Sequence, residues 1–353
     1  MTTPLRSKIP DPSHHQTTML KDGNWPEAKH RFTQESLWAL DMAILTNRPL
    51  LIRGEPGIGK SQIARAAAAE LGVPFLSHVI DERSDRDDLL YHYDAVSRLA
   101  QAQISSVLVQ QAAGKNDLSA EKLLKENLAE DNFFRPGVLW WALDWSSAAV
   151  QATKFSQYCR TCTPPAQAIA AEIQVPCGPV VLIDEIDKAD PSLPNGLLEC
   201  LGTDGFRSAH LDRYVSVPAG GRKPLVIFTT NEERELPAAF LRRCLVLSVP
   251  FPEGENAREF LIRERARVWY KSEQISDDVC SEVAKIVLEE RAKSPDRKVS
   301  GAAKPGAAEF LDLVHALVKF ADTENVTDDK REAVQREVLE EIKDFALLKS
   351  ARD

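Results

Sequence analysis

The string Leu50-Leu51-Ile52-Arg53-Gly54-Glu55-Pro56-Gly57-Ile58-Gly59-Lys60-Ser61 constrains the fold of this 353-residue chain more than any other stretch. A short apolar run passes into a glycine-rich loop ending Gly-Lys-Ser. The Ala-rich segment from Gln62 to Leu71 then reads as a helix. Strand, loop and helix in that order form the setting of a phosphate-cradling loop. Gly54, Gly57 and Gly59 let the backbone turn sharply and bring its N–H groups against the β- and γ-phosphates. The first turn of the helix adds partial positive charge. Lys60 neutralises the terminal phosphates, and the Ser61 hydroxyl can complete the coordination of Mg²⁺. Gly54, Glu55, Pro56, Gly57, Ile58, Gly59, Lys60, Ser61 and Gln62 are therefore the expected ATP-binding segment.

A second feature is Pro179-Val180-Val181-Leu182-Ile183-Asp184-Glu185. A fully apolar run ending in two acids reads as a buried parallel strand whose carboxyl end reaches an active site. Asp184 is expected to hold Mg²⁺ through water. Glu185 is expected to polarise the water that attacks the γ-phosphorus. A third apolar run, Pro224-Leu225-Val226-Ile227-Phe228-Thr229-Thr230-Asn231, ends in an amide that either orients that water or caps a turn. The segment from Glu235 to Cys244 then carries Arg242 and Arg243 in tandem. These are either a solvated basic spot or a cation presented to a neighbouring subunit's γ-phosphate.

Composition narrows the remaining choices. A hydrophobic content of 43% with 27% charged residues is ordinary for a globular chain. The net charge of −9 makes a polyanion partner unfavourable without a local basic patch, and none is evident. No apolar run approaches the ~20 residues of a membrane span. Residues 1–30 are polar, with Pro4, Pro10, Pro12 and Pro26, and lack the apolar core of a signal peptide. They are expected to be a flexible lead-in to a cytoplasmic protein. Six cysteines without an export signal fit free thiols in a reducing compartment. Cys159 and Cys162 have metal-ligand spacing, with Cys177 a distant third. No second pair follows, so unpaired thiols are the expected state.

The order phosphate loop, Asp-Glu strand, Asn strand and arginine resembles the AAA+ ATPases, over roughly residues 30 to 320. The details resemble the MoxR-type branch, which carries a helix-2 insert and a pre-sensor hairpin. The supporting strings are Asp88-Leu89-Leu90-Tyr91, Phe134-Arg135-Pro136-Gly137-Val138-Leu139-Trp140 and Ile186-Asp187-Lys188-Ala189-Asp190. Leu197-Leu198-Glu199 and the Leu236-Pro237 that leads to Arg243 continue the pattern. The resemblance implies an αβα sandwich with a parallel sheet, followed by a smaller all-α lid domain. It also implies ATP and Mg²⁺ as cofactors and Asn231 as sensor 1. Arg243 would be the finger supplied by the next protomer, although Arg242 stands where the family has Asp. Lys304, just before Pro305 at a helix entrance, falls where the lid presents its sensor 2 cation. Arg is commoner there, and a solvated Lys is the competing reading.

The implied working state is a homo-oligomeric ring, expected to be hexameric, that remodels a client. Its expected partner is a von Willebrand factor A domain protein. Two other functions remain open: a nucleic-acid motor or loader, and a nucleotide-dependent interaction switch with little turnover.

The rest of the chain is read more coarsely. The core is expected over 31–250, with insertions at about 95–130 and 146–177. The first is helical from Val96, with Leu99, Ala100, Ile104, Val107 and Leu108 in helical spacing. Trp140, Trp141 and Trp145 read as core packing or a ring-interface contact rather than a base-stacking platform. Phe206 to Val217 alternates as a hairpin, with His210 an exposed arm residue. Pro250-Phe251-Pro252 marks a boundary, and 251–353 reads as helix throughout. Its helices are expected over Ala257 to Tyr270, Ser276 to Lys293, Pro305 to Ala321 and Asp328 to Lys349.

Overall fold

The computed structural model describes residues 4–22, 25–112, 126–159, 161–165, 177–207, 214–293, 304–323 and 328–347. His210 lies outside them. Eleven short strands occur among the described residues, taken here in chain order. They are β1 (Thr17–Met19), β2 (Ala28–His30), β3 (Leu50–Arg53), β4 (Phe75–Val79), β5 (Tyr91–Tyr93) and β6 (Phe134–Pro136). They continue with β7 (Val180–Asp184), β8 (Gly205–Arg207), β9 (Tyr214–Ser216), β10 (Leu225–Thr230) and β11 (Leu245–Ser248). The central sheet has the order β11-β3-β10-β7-β4. Its strands are parallel and flanked by helices, as in an αβα sandwich. β7 pairs with β10 on one side and β4 on the other, Ile183 facing Phe228 and His78.

β7 and β10 are apolar along nearly their whole length because both faces are covered. Val180 to Ile183 and Leu225 to Thr230 are buried at every position. A strand exposed on one face would alternate instead.

The chain divides into two compact units. The first comprises Met1–Lys8, Glu35–Leu51 and Ala67–Leu247. Trp140 lies fully buried in its core with Leu89, Leu139, Ala148, Ile183, Leu197 and Phe228. The Trp140 indole donates to Ser147 Oγ at 2.8 Å, which satisfies its buried N–H. Trp141 is buried too and meets Trp145 edge-on at 5.2 Å. The tryptophans are therefore packing residues. The expected 146–177 insertion begins inside this core. The helix Trp145–Tyr158 buries Ala148, Gln151, Ala152 and Phe155, and Gln151 Nε2 donates to the Asp131 and Phe134 carbonyls. The expected helix from Val96 is present as Ala95–Ala112. The 206–217 hairpin is present as β8 and β9, with Phe206 facing Val215.

The second unit comprises Ile9–Gln34, Ile52–Ala66 and Ser248–Asp353. It therefore takes in the phosphate loop as well as the helical C-terminal part. Helices Asp277–Lys293, Ala307–Thr323 and Asp328–Leu347 place one apolar stripe each in a common core. Val279, Val283, Val287, Phe310, Val314, Leu317 and Leu339 are fully buried there. Truncating Phe310 to Ala would cost about 3–5 kcal/mol. The helix expected over Ala257 to Tyr270 is not uniform. Between Glu255–Glu259 and Arg267–Trp269 it widens into a π-helical segment, Phe260–Ala266.

The described residues among 1–30 differ from the flexible lead-in expected of their polarity. Leu5–Lys8 is a short helix whose Leu5 is fully buried, and β1 and β2 form an antiparallel hairpin. Prolines and charges conceal the cause. Asp41 caps the short helix, accepting from Leu5 N at 2.6 Å. Buried Arg65 donates to the Pro26 and Leu20 carbonyls, which flank the two strands, at 2.6 and 2.5 Å. Among the described residues, no helix is long and apolar enough to cross a membrane.

Candidate active site

β3 runs straight into the phosphate loop, and helix Lys60–Leu71 starts at the expected lysine. The loop needs its glycines. Gly57 and Gly59 have φ of +76° and +97°, in the left-handed region. A Cβ on Gly57 would also lie 2.8 Å from the Ala308 Cβ, and one on Gly54 only 2.4 Å from the Val249 carbonyl oxygen. Lys60 is 6% exposed. Its Nζ turns back to donate to the carbonyls of Gly54 at 2.8 Å and Glu55 at 2.9 Å. Ile58 is buried in the helical core.

Two arginines of the C-terminal helices grip this loop. Arg291 Nη2 donates to both carboxylate oxygens of Glu55, at 2.6 and 2.7 Å. Arg265 Nη2 donates to the Ile58 carbonyl at 2.8 Å. Neither was legible in the sequence, because an arginine on a helix reads as solvated whether or not it is. Lys304 stands three residues before helix Ala307–Thr323, whose second residue, Ala308, abuts Gly57.

In the first unit, β7 ends in the Asp184-Glu185 pair and β10 runs out into Asn231. Thr229 joins the two strands. Its hydroxyl donates to Asp184 Oδ1 and accepts from the Glu185 N–H at 3.0 Å. Glu185 takes a left-handed backbone, φ 60° and ψ 46°, so its side chain leaves the strand line. Asn231 Nδ2 donates to its Oε1 at 3.1 Å, and Lys188 Nζ pairs with its Oε2 at 2.5 Å. The hydrogen bond and charge of Glu185 raise the Lys188 pKa. Asp187, 2% exposed, accepts from the N–H groups of Asn231 and Glu233 and fixes the turn after β10. The structure thus brings together Asp184, Glu185 and Asn231, and adds Thr229, Asp187 and Lys188. A signal for Thr229 was present: two threonines end a strand otherwise wholly apolar.

Arg242 and Arg243 end helix Ala238–Arg243 and are both exposed. Arg48 caps that helix end, donating to the carbonyls of Arg243, Arg242 and Cys244 at 3.2, 2.8 and 3.1 Å. The described cysteines are free thiols. Burial pushes Cys177, Cys200 and Cys244 up to about 12, which leaves them inert. Among the described residues, no three of His, Cys, Asp and Glu cluster as a metal cage.

The loop fits a polyphosphate. Its left-handed glycines turn the backbone sharply just before helix Lys60–Leu71, and Lys60 puts a buried cation beside that turn. In the second unit the Ser61 hydroxyl, and in the first the Asp184 carboxylate, are each oxygens of the kind Mg²⁺ accepts beside substrate phosphates.

A strand–glycine loop–helix unit with a buried lysine, in a chain whose parallel sheet carries an acid pair at a strand end, defines a P-loop nucleotide-binding protein. The chain belongs to the AAA domain family, dynein-related subfamily, whose family model matches residues 49–244. That span holds the phosphate loop, Asp184, Glu185, Asn231 and both arginines, and stops short of Lys304. Membership implies nucleotide-dependent ATPase activity. No curated protein matches the chain.

Proposed function

We propose that the chain is a Mg²⁺-dependent ATPase of the MoxR type that acts as a ring, expected to be hexameric, and remodels or assembles a client protein complex. One observation carries the hydrolytic part: the Glu185 carboxylate is oriented by Asn231 on one oxygen and Lys188 on the other. A glutamate serving only solubility would not be held at both oxygens beside a second acid.

In this reading Lys60 leaves the Gly54 and Glu55 carbonyls to pair with the β- and γ-phosphates. Ser61 and Asp184 are the residues that would hold Mg²⁺, which offsets charge on the transferring phosphoryl group. Glu185 aligns the attacking water and takes its proton. Asn231 keeps Glu185 turned toward that water. Arg243, exposed at a helix end that Arg48 holds in place, serves the phosphate of a neighbouring copy, with Arg242 the alternative. Lys304 remains the proposed sensor 2 cation. The client, and a von Willebrand factor A partner, rest on the resemblance to the MoxR branch.

The test is Glu185→Gln. It should bind ATP with affinity within about threefold of the wild type, while turnover falls about 10²–10⁴-fold. Normal turnover would refute the assignment. Absence of phosphate release from the assembled wild-type ring would favour the interaction switch. Turnover stimulated by DNA or RNA and lost with rising salt would favour the motor.

A further inference from the structure

Arg265 sits in an unusual environment. It lies on the π-helical segment Phe260–Ala266, a rare geometry that tends to mark functional positions. Its guanidinium reaches the phosphate loop, with Nη2 on the Ile58 carbonyl. Nη2 and Nη1 stand 3.6 and 3.8 Å from where a Cβ on Gly59 would be. The Nε–H is sealed from solvent and has no acceptor. Among the described residues no carboxylate lies within ion-pair distance. Arg291 has Glu55, Arg267 has Asp277 and Arg31 has Glu264, whereas Arg265 has only a carbonyl and the Phe260 ring at 4.6 Å.

Glu264, the carboxylate whose charge acts on Arg265, is paired with Arg31 at 3.8 Å instead. His30, 6% exposed and without a partner on Nε2, lies near enough for the arginine's charge to act on it. Burial and that charge hold the imidazole neutral, with a pKa pushed down to about 3. Burial also lowers Arg265 itself to about 10. A guanidinium this poorly compensated is costly to fold, and such cost is retained where a ligand offsets it.

We propose that Arg265 is a second cation of the nucleotide-phosphate site, meeting the bound polyphosphate from the Gly59 side of the loop. The inference rests on the nucleotide-binding reading above. Arg265 lies outside the family-model match and apart from Lys304, the cation expected of the lid.

The experiment compares wild type, Arg265→Gln and Arg265→Lys without Mg²⁺, so that binding is read and turnover is not. Inorganic tripolyphosphate and adenosine compete against a fluorescent ATP analogue, and unliganded melting checks the fold. Arg265→Gln should weaken tripolyphosphate about 10- to 100-fold, as expected for a charge-assisted contact, and adenosine less than about twofold. Equal loss for both competitors would mean the arginine braces the loop or reads the base, and would overturn the proposal. So would unchanged tripolyphosphate affinity. If Arg265→Gln melts more than about 10 °C below the wild type, Arg265→Lys decides. Charge without the fork should cost three- to tenfold, on the order of half a charge-assisted bond, and no loss would overturn the assignment. Failure of the wild type itself to bind the analogue would instead sink the nucleotide reading.

Discussion

Thr229→Val tests whether the two strand ends work as one unit. The side chain is fully buried, and valine matches its shape while deleting the hydroxyl. Two bonds disappear together. The first is the hydroxyl's bond to the Asp184 carboxylate, of the charge-assisted kind worth about 1.5–3 kcal/mol. The second leaves the Glu185 N–H without its acceptor, a further loss of about 1–3 kcal/mol. Asp184 and Glu185 both keep some solvent exposure, so water recovers part of each loss. The net expectation is about 2–4 kcal/mol. At about 2–4 °C per kcal/mol for a unit of this size, the melting temperature should fall on the order of 10 °C. Thr229→Ser keeps the hydroxyl and should fall by less than half as much. The assay is thermal unfolding without nucleotide, followed by turnover on protein still folded at the assay temperature. Turnover should drop at least tenfold, because Glu185 loses the backbone tether that aims it. A valine variant melting within about 1 °C of the wild type, or a serine variant as weak as the valine, would refute the reasoning.

Three further outcomes follow from the same geometry. Gly57→Ala must adopt a positive φ and push against Ala308, so nucleotide affinity measured by fluorescent titration should fall at least about tenfold, with Gly57→Ala/Ala308→Gly recovering only part because the backbone strain remains. His30 is held far below the ordinary imidazole value of 6.5, so the unfolded chain binds the extra proton as pH falls from that value toward 3. Stability is therefore full above pH 6.5 and declines below it, by about 2 kcal/mol at pH 5; His30→Phe should flatten urea unfolding between pH 7 and 5, and an unchanged slope would count against the buried neutral imidazole. Arg48→Ala frees three carbonyls at the end of helix Ala238–Arg243. On the proposed trans-acting role of Arg243, it should lower turnover as Arg243→Ala does while leaving ATP affinity within about twofold, and mixing either variant with Lys60→Ala subunits should restore some activity.

What the chain reveals unaided is the chemistry carried by short-range spacing. Gly54 to Ser61 declares a phosphate loop because strand, turn and helix must follow one another within a dozen residues. Val180 to Ile183 declares a buried parallel strand because nothing but double-sided cover tolerates so continuous an apolar run. The three long helices of the second unit announce themselves through 3.6-residue periodicity. Tertiary structure alone decided the rest, since it concerns partners tens to hundreds of residues apart. The short, polar strands Thr17–Met19 and Ala28–His30 pair, and Arg65, on a helix elsewhere, meets the Leu20 and Pro26 carbonyls beside them. Thr229 serves Asp184 and Glu185 only because β10 pairs with β7 in that register. Arg265 and Arg291 reach the loop through the packing of helices whose patterns show only which face is apolar. A charged side chain reads the same along the chain whether water or a distant backbone satisfies it; only the fold assigns its neighbour.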